Sequence, residues 1–240
     1  MKNKKIETKT VEAYVNRQAP RGFENGVDQA DLIMPRAKLI QALSPELNEG
    51  IENIKVGSII NSVTKEILPP EFIPIFMFKK FIRFNPRNKD DPNFDYKLSP
   101  GAIIWRTDNA LDSMVQEQTS FGPNGEKPLA TTFLNFFSYF PGSQMPIIVS
   151  FCRTSYKTGK QLLSLAKFCG GDMFSRKYRL TSVMEVNDVA NYAVLKVTPI
   201  GESMPDEFKI CERMWKDFST RAKDIQLHEE DELKNSDVPF

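Results

Sequence analysis

The chain has 240 residues, 40% of them hydrophobic and 26% charged, with a formal net charge of +1. That is enough for one large domain or one and a half, with ample material for a core, and it excludes a disordered or fibrous chain. No apolar run reaches the length of a membrane span, and Met1-Lys-Asn-Lys-Lys5 is followed by no apolar segment, so neither a span nor a signal peptide is expected.

Residues 1–29 are polar and weakly periodic, and they read as a flexible arm. Alternation from Ala37 to Ala42 predicts a strand, with Pro35 at its start, and 56–63 predicts a second. The stretch 71–87 is β-prone and proline-marked. Its first half is apolar on both faces, and its second half places Lys79, Phe81 and Arg83 on one face. A polar loop over 85–97 leads to a short strand at 102–106, and 107–130 reads as loop. Residues 131–140 form an aromatic strand, with Phe133, Asn135, Phe137 and Tyr139 facing one way and Leu134, Phe136, Ser138 and Phe140 the other.

A buried strand is expected at 146–152, then a helix capped by Thr154 or Ser155. That helix runs to about Phe168, with Leu162, Leu165, Ala166 and Cys169 as its apolar stripe and Gly170-Gly171 as its end. Two strands, 174–182 and 192–198, flank a loop near Asn187-Asp188. The spacing of Phe208, Cys211, Trp215, Phe218 and Ala222 predicts a helix over 205–225. The fold class is mainly β (α+β). Strand, helix, strand, strand late in the chain is compatible with an OB-like small barrel, with a helix between late strands and a C-terminal helix; other small barrels fit the pattern nearly as well. Phe72, Phe76, Phe136 and Phe140 are expected to fill it. The expected division is an arm at 1–29, a barrel domain at 30–226 and an acidic tail at 227–240.

Catalytic chemistry is hard to find. The single histidine, His228, lies in the tail, and Cys152, Cys169 and Cys211 show no ligand spacing and read as reduced core or near-core thiols. Thr154-Ser-Tyr-Lys-Thr-Gly-Lys-Gln161 echoes a phosphate loop, but it lacks the first glycine, and Gln161 stands where a Ser or Thr would hold magnesium. The expectation is a non-enzyme with no cofactor and no metal.

Binding chemistry is easier to find. Single-stranded nucleic acid needs cations along its phosphates and flat rings for its bases. Basic and aromatic residues are adjacent at Lys79, Phe81 and Arg83, at Trp105 and Arg106, at Tyr156, Lys157 and Lys160, and at Arg176, Lys177 and Arg179. Phe137, Tyr139 and Arg153 complete the candidate DNA-binding set. Of the 32 basic and 31 acidic residues, one base and five acids fall within 228–240, which leaves a body with five more bases than acids. The tail ends in Asp237, Val238, Pro239 and Phe240. A terminal ring with a free carboxylate suits a pocket lined by a basic residue, so these four are the candidate partner-binding residues.

That tip resembles the acidic Asp-x-Pro-Phe ending of bacterial single-stranded DNA-binding proteins. The segments Asp31-Leu-Ile-Met-Pro-Arg-Ala-Lys-Leu-Ile-Gln41, Gly57-Ser-Ile-Ile-Asn-Ser62, Phe72-Ile-Pro-Ile75 and Thr154-Ser-Tyr-Lys-Thr-Gly-Lys160 look like phage proteins of the replication and recombination region, taken as phage-type single-stranded DNA-binding proteins with an OB fold. The resemblance covers 31–200 in patches. It implies sequence-independent coating of single-stranded DNA and recruitment of replication and recombination proteins by the tail. With no signal peptide the chain is expected in the cytoplasm, that of the host if it is phage-encoded, and its oligomeric state stays open between a monomer and a homo-oligomer. Some such phage proteins carry a zinc-binding cysteine cluster; this chain has none, so no metal is carried over. The alternatives are a recombination mediator or annealing protein, and a polymerase-interacting regulatory factor that binds no DNA.

Overall fold

The structure is a computed structural model that describes residues 33–143, 145–186 and 191–219. All of these fall in one compact unit. The expected arm, the acidic tail with Asp237 to Phe240, His228, and the loop at 187–190 lie outside the described residues.

The fold is mainly β. Eight strands are described: β1 (Ala37–Leu39), β2 (Ile59–Asn61), β3 (Glu71–Phe84), β4 (Ile103–Thr107), β5 (Ala130–Tyr139), β6 (Ile147–Phe151), β7 (Arg176–Val186) and β8 (Asn191–Glu202). With them stand three α-helices: α1 (Ser113–Gln118), α2 (Tyr156–Phe168) and α3 (Pro205–Phe218). β1 and β2 form a small antiparallel pair. The other six strands form an antiparallel sheet in the order β6-β5-β3-β7-β8, with β4 on β3.

β3 is the axis of the sheet. One edge pairs with β5 from Ile73 to Arg83. The other pairs with β7 at Glu71 and Phe72 and with β4 from Phe81 to Phe84. A bulge between Pro74 and Phe76 leaves Ile75 out of register, which bends the strand.

The first half of β3 is apolar on both faces because both are covered. On the inner face Phe72 packs with Leu134, Phe136, Phe140, Val149, Phe151, Tyr178, Leu180, Leu195 and Val197, closed by Leu162 of α2. On the outer face Ile73 and Ile75 pack with Phe137, Ile148 and Phe174 beneath Cys211 of α3. Each such side chain taken from water contributes about 1.5–3 kcal/mol. Phe72, Phe136 and Phe140 are inner residues as expected, but Phe76 lies on the outer side, stacked on Phe137 at 4.7 Å.

α2 begins where expected, with a different use for its cap. The Ser155 hydroxyl makes no capping bond. It accepts instead from Leu195 N at 3.3 Å, and the Thr158 hydroxyl donates to Leu195 O at 2.9 Å. The side chain of Gln41, just past β1, does the same for Ala193: its amide donates to Ala193 O and its carbonyl accepts from Ala193 N, both at 2.9 Å. Arg36 bridges Ile148 of β6 in parallel. Among the described residues no backbone ladder joins β6 to β8, the two ends of the sheet, and these groups bridge the seam between them.

Three expectations need correction. Residues 107–130 include α1, a six-residue helix that periodicity could not reveal; the Asp112 side chain caps it by accepting from Met114 N at 3.0 Å. Cys169 is exposed rather than part of the stripe of α2; Cys152 is half-buried, and Cys211 alone is fully buried. Trp215 is 44% exposed, and Met214 packs in its place under α3.

Candidate nucleic-acid interface

The second half of β3 leaves the double-sided core, and its polar residues appear there. In the ladder to β5, Lys79, Phe81 and Arg83 stand opposite Leu134, Thr132 and Ala130, so all three share the face of Leu134. β4 adds Trp105 directly opposite Arg83. Lys79 is exposed, and Arg83 and Trp105 are half-buried. Phe81, however, is only 6% exposed and offers no free ring face. Arg106 is exposed and lies opposite Ile82, on the other face of the ribbon.

The geometry around Trp105 is built. Arg83 donates an Nη1 hydrogen to Gln118 Oε1 at 3.1 Å, and the Trp105 indole N–H donates to the same oxygen at 3.2 Å. A carbonyl oxygen has two lone pairs and can take both. At the turn beyond β3, Asn85 is fully buried. Its amide donates to the carbonyls of Asp95, Leu98 and Ser99, and its Oδ1 accepts from Asp95 N. One side chain therefore sets the path of the loop that returns to β4.

α2 carries a second group. Tyr156 is half-buried against the inner core, with Lys160 Nζ 5.4 Å from its ring centroid; Lys157 and Lys160 are exposed. Arg153, just before the helix, has φ +48°, a left-handed backbone rarely adopted by a side-chain-bearing residue. The phosphate-loop echo has a packing reason. Gly159 is buried in the second turn of α2, where a Cβ would stand 2.6 Å from Phe151 Cβ, so this glycine serves contact between helix and sheet.

β7 holds the third group, and here the expectation fails most. Lys177 is buried. It donates to Glu207 of α3 at 2.7 Å and lies 3.6 Å from Glu71. Burial pushes the Lys177 pKa down, but hydrogen bonding and charge from Glu207, then Glu71, outweigh it, and the net shift is upward. This cation is spent inside the protein, pinning α3 to the sheet. Arg176 is half-buried, with a buried Nε that has no hydrogen-bond partner, and Arg179 is exposed. β7 meets β3 at Glu71 and Phe72, eleven or more residues from Arg83, roughly 36 Å along the strand. The β7 group is therefore far along the sheet from the Arg83–Trp105 pair. Phe137 also leaves the set, because it is fully buried between Phe76 and Phe218, and Tyr139 packs in the same outer cluster.

Sequence reasoning missed Gln118, which sits in a polar stretch with no pattern to mark it. It also missed a buried ionic cluster beneath β1 and β2. Glu46 there is 1% exposed and accepts from Lys38 at 2.7 Å and Lys65 at 2.9 Å. Burial alone would raise its pKa, but the two lysines reverse this and hold it at about 2. Among the described residues, no three His, Cys, Asp or Glu side chains gather where they could hold a metal ion, and no helix is long and apolar enough to cross a membrane.

The family model described as "Pam3 phage gp34-like protein" matches residues 2–224 of the chain. No curated protein and no solved structure matches it.

Proposed function

The chain belongs to the Pam3 phage gp34-like protein family, and on that premise we propose that it is a non-enzymatic, sequence-independent single-stranded DNA-binding protein of phage replication and recombination, acting in the host cytoplasm. The observation that carries this reading is the patch on β3 and β4. Lys79, Arg83 and Trp105 share one face there, and Gln118 bonds two of them. Cations beside a ring are what a single strand needs, since phosphates and base faces are the parts common to all sequences.

The connectivity supports an OB-type barrel. β3, β5, β6, β7 and β8 follow one another with α2 between the third and fourth of them, and β3 pairs with both β5 and β7. β4, the loop set by Asn85, and α1 are inserted between the first two of these strands. The corresponding loop is one of those with which such barrels hold oligonucleotides. In this reading the strand tracks across β3 and β4, Lys157 and Lys160 of α2 add charge, and the tail ending in Phe240 recruits replication proteins.

The test is a fluorescence titration with oligo-dT and with duplex DNA from 50 to 300 mM salt. Single strands should bind in preference to duplex, with affinity falling steeply as salt rises. Lys79→Ala should reduce the slope by about 0.7 if its ammonium neutralises one phosphate. Absence of oligo-dT binding at low salt would sink the reading. Deleting residues 228–240 should preserve or raise DNA affinity while abolishing partner pull-down.

A further inference from the structure

We propose that Gln118 is the positioning residue of the interface: it holds the Trp105 indole and the Arg83 guanidinium as one fixed pair that receives a base on the ring and its phosphate on the cation. This rests on the single-strand reading above and adds to it a residue and a mechanism.

The pair is adjacent by construction. Arg83 and Trp105 are directly opposed across the β3–β4 ladder, a spacing at which side chains on the same face touch. Each nevertheless retains freedom about its own χ angles, and an indole that swivels makes a poor platform. Trp105 has a single donor, and Gln118 Oε1 takes it at 3.2 Å, which fixes the ring plane. The second lone pair takes Arg83 at 3.1 Å, which fixes the cation beside it.

The helix that presents the oxygen is itself held. Gln118 ends α1, which is tied down by the Asp112 cap, by Val115 at 3% exposure, and by the Thr119 hydroxyl donating to Val115 O at 2.7 Å. Every one of these bonds is made within the protein, so the ordering cost falls on folding rather than on binding. The neutral amide matters too. A carboxylate at this position would accept equally well but would place a negative charge beside the incoming phosphate.

The chain has two tryptophans, so Trp215→Phe leaves Trp105 as the only indole. Titrating that protein with oligo-dT should quench its emission in a saturable way. Trp105→Ala should weaken binding about tenfold, the loss of one stacked base. In the Trp215→Phe background, Gln118→Met should weaken binding several-fold, lower the emission anisotropy of the free protein and shrink the quench. Gln118→Glu, which keeps the acceptor, should restore both the anisotropy and the fractional quench while remaining weaker in affinity. If oligo-dT binds and Trp105 emission does not change, the inference is overturned and the single-strand reading stands. If Gln118→Met folds and binds with unchanged quench and affinity, Gln118 merely ties α1 to β4. If the Trp215→Phe protein binds no oligo-dT at 50 mM salt, the single-strand reading itself fails. The quench in the protein with native Gln118 tests the platform even if Gln118→Met does not fold.

Discussion

Gly159→Ala sets two effects of opposite sign against each other. Gly159 lies inside α2, where alanine is favoured over glycine by roughly 1 kcal/mol. The same Cβ would stand 2.6 Å from Phe151 Cβ, 3.0 Å from Phe151 Cγ and 3.1 Å from Leu134 Cδ1. Carbon atoms rest at about 3.5–4.0 Å, so relief requires a displacement of about 1 Å. Phe151 Cβ cannot swing away, because it is bonded to the backbone of β6. That ring is fully buried and packs edge-on to Phe136 at 5.6 Å. The helix must therefore lift, straining the Ser155 and Thr158 bonds to Leu195. Overpacking of this kind costs about 1–3 kcal/mol, and each weakened bond costs up to ~1 kcal/mol more. A net loss of about 1–2 kcal/mol is expected in urea unfolding followed by circular dichroism. Ser164→Ala, at an exposed position of the same helix where the hydroxyl only donates back to Lys160 O, should gain a few tenths of a kcal/mol from propensity and the loss of that back-bond. A Gly159→Ala protein as stable as the wild type, or more so, would refute the packing argument.

Three further outcomes follow from the buried polar groups. Because the Glu46 pKa is lowered to about 2 from 4.5, its stabilisation is fully present above pH 4.5 and is lost as the pH falls through 2. Glu46→Gln should remove on the order of 3 kcal/mol of acid-dependent stability, and identical pH slopes for the two proteins would contradict this. Asn85→Ala removes one side chain serving four backbone groups. It should cost roughly 2–4 kcal/mol and make 86–101 the first site of limited proteolysis; uniform cleavage elsewhere would count against it. Lys177→Met should destabilise the fold by ~3 kcal/mol, since it leaves Glu207 without its buried partner, yet leave oligo-dT affinity unchanged. A weakened complex with intact folding would return Lys177 to the interface.

The fold was legible where burial is regular. Apolar residues on both faces of 71–78 announced a strand covered twice, and the alternation in 131–140 separated the inner Phe136 from the outer Phe137. Other features depended on contacts made far along the chain. Trp215 and Met214 are neighbours on one helix with similar spacing claims, and only the position of the outer cluster decides which one packs. Lys177 looks like its neighbours Arg176 and Arg179 in a basic run. What separates them is Glu207, thirty residues on. Phe81 and Trp105 are both rings beside cations; Phe81 lies between Thr107 of β4 and Thr132 of β5 and is buried, whereas Trp105 stays partly open. Gln118 carries no signal of its own, because its role exists only once α1 is set over the β3–β4 ladder.

The seam between β6 and β8 bears on how this molecule behaves in a crowd. An uncovered strand edge offers a row of amides and carbonyls to any neighbouring chain. Here the Ala193 and Leu195 groups on β8 are already occupied by Gln41, Ser155 and Thr158. Copies of this protein can therefore be packed side by side without joining edge to edge through that stretch. Because the bonds come from side chains, each can be removed singly. Gln41→Ala would leave Ala193 open, and the first sign of its loss should be association that grows with protein concentration.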